Sequence, residues 1–137
     1  MINNNILKLD HWQKHNHIHQ KISEKELYEA YKIFFGTLVS GPRLKIINLL
    51  KKDKKTVSEI MDELDMEQTI VSHNLARLKL CGVVKSEIKG RFRKYYLNKE
   101  TIKPLIEIIN KHMSQYCVHI LRKMDENTNE KHERKQT

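Results

Sequence analysis

Gln68, Thr69, Ser72 and His73 are four side chains able to hydrogen-bond, set close together where Ile70, Val71 and Leu75 supply an inward-facing set. On a helix, the polar four share the exposed early turns. Gln pairs bidentately with adenine, and Thr also touches a thymine methyl. Arg77 and Lys79 follow, where such a helix would rise towards a phosphate backbone. Lys89, Arg91, Arg93 and Lys94 flank Gly90, and their cations suit phosphates or a narrow minor groove. The chemistry implied is base reading by one element and backbone anchoring by another.

Three other sets carry reactive types. His11, His15, His17 and His19 are dense enough to bind zinc, nickel or copper, and His11, His15 and His19 fall four apart, on one face if helical. Polar His-rich arms are often simply solvated, which is the preferred reading. Cys117 and His119, with His112, offer thiolate and imidazole for zinc or copper. Cys117 also sits on an apolar stripe, where a buried structural thiol is the commoner outcome. Cys81 would report oxidation if exposed and acidic, but Leu80 and Val83 beside it favour burial. No cofactor is required by any of these sets. No Ser/His/Asp set, phosphate-cradling glycine loop or paired carboxylates can be read, so an enzyme is not expected.

The elements that must position these residues can be read from periodicity and caps. Residues 1–22 read as a flexible, His-bearing arm. Ser23 and Glu26 form a capping box, and Leu27, Tyr28, Tyr31, Phe34, Phe35 and Leu38 make the stripe of a first helix up to Ser40-Gly41-Pro42. Pro42 suits the first turn of a second helix bearing Leu44, Ile46, Ile47, Leu49 and Leu50. Lys51 to Lys55 reads as a short basic loop. Thr56 and Glu59 cap a third helix with Val57, Ile60, Met61 and Leu64 on its buried face. After Asp65-Met66-Glu67 a fourth helix carries Ile70, Val71, Leu75, Leu78 and Leu80, and Gly82 stands where a left-handed C-terminal glycine belongs. Two short helices joined this way have helix-turn-helix spacing.

Val83 to Ile88 and Phe92 to Leu97 are rich in β-branched and aromatic residues, with Lys89-Gly90-Arg91 as the hairpin turn. From Ile102 to Leu121 the helical period returns, and this stripe is more suited to pairing with a second subunit than to lying inside so small a domain. Residues 123–137 have almost no apolar content and are expected to be a disordered tail, leaving 23–122 as the folded domain.

The 137 residues suit one domain, and hydrophobic content of 39% with four Gly and two Pro fits a helix-rich globule. Two cysteines are too few for a disulfide framework. No apolar run reaches bilayer length and Met1 to Asp10 lacks a signal peptide's features, so a cytoplasmic location is expected. Lys and Arg number 26 against 17 Asp and Glu, a net charge of +9. It is unevenly placed: Gln68 to Leu97 carries +6, Thr56 to Glu67 carries −5 and the remainder +8. Bases riding on a helix-turn-helix and hairpin point to nucleic acid rather than to a membrane surface.

These residues resemble the ArsR/SmtB winged-helix repressors. FFGTLVSGPRLKII, from Phe34 to Ile47, is similar to the family's Phe/Leu-x-x-Leu-Ser-Asp-Pro-Thr-Arg-Leu-x-Ile signature, with Pro42 one position late and Gly41 standing where the signature has its Pro. QTIVSHNLARLKLCGVV, from Gln68 to Val84, resembles the family's recognition helix, and KGRFRKYY, from Lys89 to Tyr96, resembles its wing. The resemblance implies a homodimer through the first and last helices, which would place Leu27, Tyr31, Leu105, Ile109, Met113, Tyr116, Cys117 and Ile120 in the interface. It also implies repression until an inducer releases the DNA. The family's Cys-x-Cys pair has no counterpart between Val57 and Leu64, and of its terminal-helix zinc ligands only His112 has a match.

The fold expected is therefore mainly α with a small β-hairpin wing, a dimeric winged helix-turn-helix. The function expected is transcriptional regulation by binding an inverted repeat in double-stranded DNA. Two other classes fit the same fold: an architectural DNA coater with little sequence preference, and a protein–protein adaptor.

Overall fold

The computed structural model describes residues 22–135. The helices are α1 (Glu24–Leu38), α2 (Gly41–Leu50), α3 (Val57–Leu64), α4 (Gln68–Leu80), α5 (Ile102–Gln115) and α6 (Cys117–Lys135). Strands β1 (Val84–Lys89) and β2 (Phe92–Leu97) stand between α4 and α5. The chain divides into two compact units between Leu44 and Lys45. The His-bearing arm with His11, His15, His17 and His19 lies outside the described residues.

In the first unit the capping box closes as the spacing requires. Ser23 Oγ accepts from the Glu26 N–H at 3.2 Å, and Glu26 Oε2 accepts from the Ser23 N–H at 2.8 Å. The other end of α1 has no basic residue in its last turn. Arg43 supplies that charge from the next helix, donating from its guanidinium to the carbonyl oxygens of Gly36 and Thr37. The arginine of the SGPRL stretch thus ties off the preceding helix. Thr37 is buried, and its hydroxyl donates to the Ile33 carbonyl at 2.7 Å.

The second unit holds the larger core. Ile46, Ile47, Leu50, Ile60, Val71, Leu75 and Leu78 are buried there, and Val83, Val84, Leu97 and Ile102 complete the buried set. The Thr56–Glu59 capping box starts α3, with both bonds at 3.2 Å. Asp65 ends α3 with φ at 52°, a left-handed geometry that Asp tolerates better than most residues. Gly82 ends α4 with φ at 70°. Its N–H donates to Lys79 O at 3.1 Å and the Val83 N–H donates to Leu78 O at 2.9 Å, the paired bonds of a Schellman motif.

The strands pair antiparallel from Val84–Leu97 to Lys89–Phe92. The loop between them is only Gly90-Arg91, shorter than the three-residue turn expected from the sequence. Gly90 has φ at 64° while Arg91 does not enter positive φ, the pattern of a type II′ turn. Lys55, expected in a plain loop, forms an antiparallel bridge with Tyr95 instead: Lys55 N donates to Tyr95 O at 3.0 Å and Tyr95 N to Lys55 O at 2.7 Å.

Two further differences concern the C-terminal part. The expected single helix from Ile102 is interrupted at Tyr116, where α5 gives way to α6. The segment from Lys123, expected to be disordered, is helical through Lys135. Its Lys, Glu, Arg and Met residues are good helix formers even with no apolar face to bury. No single helix among the described residues is long and apolar enough to cross a membrane.

Candidate nucleic-acid interface

Burial of Val71, Leu75 and Leu78 fixes the rotation of α4. Gln68, Thr69, Ser72 and His73 are consequently all exposed on its outward side, together with Ala76 and Arg77. Ile70, expected to face inward, is 42% exposed, and Leu80 is 79% exposed. Adjacent residues on a helix are about 100° apart, so Ile70 cannot share the buried direction of Val71. Ala76 lies between Ser72 and Leu80 on the outward face, and its methyl group lets another surface come close.

The hairpin is tied to α4 at its far end. Lys79 Nζ donates to Ser86 Oγ at 3.0 Å, and an Arg93 guanidinium N–H donates to the same oxygen at 3.1 Å. Asn98 makes a second joint. Its side-chain amide donates to Gly82 O at 3.1 Å and its backbone N–H to Val83 O at 3.0 Å. Lys89, Arg91 and Arg93 are exposed at and beside the tip, with Phe92, also exposed, between the two arginines.

Strand alternation divides the wing into two faces. Val84, Ser86, Tyr95 and Leu97 share the face that meets α4, while Lys85, Glu87, Lys94 and Tyr96 point the other way. On that second face Glu87, the one acid among the bases from Gln68 to Leu97, pairs with Lys54 at 2.9 Å. The bond from Lys54 holds the Glu87 carboxyl below its ordinary range, and Lys54 is raised in return. Lys54 Nζ also lies 4.8 Å from the centre of the Tyr96 ring.

Lys94 is only partly exposed. Glu59 is held low mainly by hydrogen bonds from Thr56, with smaller contributions from Lys94 and Lys55. Part of the Lys94 charge therefore serves the acidic helix α3. Lys55 likewise pairs with Glu63 at 2.6 Å, and this bond raises the lysine. Lys54, Lys55, Ser86 and Asn98 were not singled out by the sequence; only the isolated Glu87 amid bases hinted that a partner was needed.

The remaining candidates are more dispersed. His112 stacks on Tyr116 with ring centres 4.7 Å apart. Cys117, expected as a buried thiol, is exposed, and Cys81 is partly buried beside the exposed Leu80. Among the described residues no three His, Cys, Asp or Glu side chains gather to hold a metal ion. Tyr31, Met113, Tyr116 and Ile120 are exposed, whereas Leu27, Leu105 and Ile109 are half-buried.

Comparison with known proteins agrees with this architecture. Residues 41–86 match the profile described as "Bacterial regulatory protein, arsR family". An uncharacterized HTH-type transcriptional regulator of Methanocaldococcus jannaschii, MJ1325, is 33% identical over 86 residues, covering 62% of this chain and 97% of that protein. The transcriptional repressor SdpR of Bacillus subtilis is 33% identical over 81 residues, covering 56% of this chain and 90% of that protein. Among solved structures, the homodimeric winged helix-turn-helix DNA-binding domain Mb0332 of Mycobacterium bovis superposes with a TM-score of 0.65 at 24% identity. That match covers 74% of this chain and 94% of the other. The sequence matches and the shared winged helix-turn-helix place this chain in the arsR family of transcriptional regulators.

Proposed function

We propose that the chain is a cytoplasmic, homodimeric repressor that reads an inverted repeat in double-stranded DNA. The carrying observation is the polar outward face of α4, held at a fixed angle to an arginine-tipped hairpin through Ser86. A major groove about 12 Å wide admits one helix, so α4 would enter with Gln68, Thr69, Ser72 and His73 against base edges. Lys89, Arg91 and Arg93 would then lie on phosphates or in the adjacent minor groove, with Arg77, Lys79 and Lys94 adding charge.

A single such domain spans one half-site, and two recognition helices about 34 Å apart would read the repeat. Tyr28, Tyr31 and Phe35 on α1, and Met113 on α5, Tyr116 at the break and Ile120 and Leu121 on α6, are large, largely apolar side chains exposed in the single chain. Each set is suited to burial against a second copy. Repression would end with an inducing signal that these residues do not specify.

Site selection from random duplexes tests the reading. The expected product is an inverted repeat, and Gln68→Ala or Ser72→Ala should each relax one position per half-site by about 1–3 kcal/mol. A specific-to-nonspecific ratio near unity would instead indicate an architectural coater, and no salt-dependent binding to any duplex would indicate an adaptor.

A further inference from the structure

Behind the wing, on the face that carries Glu87 and Tyr96, lies a concave pocket of about 210 Å³. Lys51, Lys52 and Lys54 come to it from the end of α2 and the following loop, and Lys99 and Lys103 from the start of α5. Asp53 is the one acid in its wall, and Asp53 Oδ1 is already engaged by the Lys54 N–H at 2.8 Å. Lys54 is paired with Glu87, whereas Lys51, Lys52, Lys99 and Lys103 make no ion pair with a described residue. The first turn of α5 has no acidic residue, and Thr101 gives it no side-chain cap. Its amides are already engaged, since the Ile102 and Lys103 N–H groups both donate to Asn98 O at 3.1 Å and Pro104 has none, so the positive charge around the pocket is that of the lysines.

Like charges gathered around a hollow repel one another, and an anion seated among them removes that cost. The pocket is smaller than a drug-sized site, with a floor of Leu50, Leu97 and the Tyr96 ring and five lysines around it, so its ligand is compact and its charge is met by those lysines. We infer that this pocket binds a small polyphosphate anion, a molecule bearing two or more linked phosphoryl groups. Lysines suit such a ligand as movable point charges that conform to several oxygens.

Lys54 links the pocket to the wing. A polyphosphate oxygen competes with Glu87 for its ammonium, and losing that bond loosens β1 against the α2–α3 loop, which the Lys55–Tyr95 bridge still joins to β2. The ligand therefore weakens DNA binding through the wing, a consequence that rests on the wing's proposed role, whereas anion binding itself does not.

Calorimetric titration of inorganic tripolyphosphate into the full chain without DNA, at about 0.15 M salt, tests the site. The wild type should bind, and Lys51→Ala combined with Lys103→Ala should weaken binding by about tenfold or more. Arg122→Ala with Lys123→Ala removes the same charge from α6 and should leave that affinity unchanged. No binding by the wild type, or equal losses in both double variants, overturns the proposal. In a second arm, tripolyphosphate should release wild-type protein from duplex while sparing the Lys51/Lys103 variant. If that variant instead binds duplex poorly and the wild type ignores tripolyphosphate, the pocket seats DNA backbone phosphate and the inference fails. Should no duplex bind at all, the proposed function fails while the calorimetric arm still decides the pocket.

Discussion

Lys79, in the last turn of α4, donates to the hydroxyl oxygen of Ser86 on β1 at 3.0 Å. Because Arg93 on β2 donates to the same oxygen, one neutral acceptor holds two cations that would otherwise repel. Their shared hydroxyl sets the angle between helix and hairpin and keeps positive charge concentrated where they meet.

Ser86→Ala removes that acceptor with little change in volume. Stability should fall by no more than about 1 kcal/mol, since the bonds are exposed. Duplex affinity should fall several-fold as the hairpin loses its orientation. Denaturant unfolding and a binding titration check both parts, and an unchanged affinity removes Ser86 from the interface.

Arg91→Ala with Arg93→Ala acts on the anchoring charge. Binding should weaken for every sequence, and the slope of log affinity against log salt should shrink by about 0.9 for each phosphate no longer neutralised. Unaltered affinity at both low and moderate salt would mean that the wing does not touch DNA.

Gly82→Ala tests the joint after α4. A Cβ at φ 70° meets the left-handed penalty of about 1–2 kcal/mol, and the Schellman bonds to Lys79 and Leu78 are strained with it. Urea unfolding should show a lower midpoint with the slope unchanged.

Acid should loosen the rear of the wing. Bonding to Lys54 lowers the Glu87 pKa in the folded chain below its ordinary 4.5. The contribution of this pair is therefore present above that value and is lost as pH falls through the lower, folded one. A Glu87→Gln variant should be less stable than the wild type near neutrality and converge with it in acid. A difference that persists unchanged down to about pH 2 would place the effect elsewhere.

Both capping boxes, Gly82, Gly90 and, on α4, the buried Val71, Leu75 and Leu78 were legible in the sequence because each depends on a local residue pattern, whereas Ile70 and Leu80 were assigned to that face by apolar type and are exposed. The Lys55–Tyr95 bridge was not, since a one-residue strand has no periodicity and its partner lies far along the chain. The interruption at Tyr116 escaped for the opposite reason: apolar spacing from Ile102 to Leu121 runs across it without losing step. Apolar content also misjudged residues 123–135, because it measures what a helix can bury rather than whether the backbone will coil. For the candidate interface, residue types alone singled out Gln68, Thr69, Ser72, His73 and the two arginines, all of which are exposed. Ser86 and Lys54 act through cross-strand and loop geometry that only the folded chain displays.

The two-residue turn at Gly90-Arg91 also constrains how this hairpin can diversify. Adding one residue to each strand would turn the tip side chains onto the opposite face, and adding a residue to only one would slip the register. Keeping the arginines pointed as they are requires two residues per strand, an outward step of roughly 7 Å. The finger's reach is thus quantised, and related proteins with longer hairpins should differ from this one by insertions of four rather than by gradual growth.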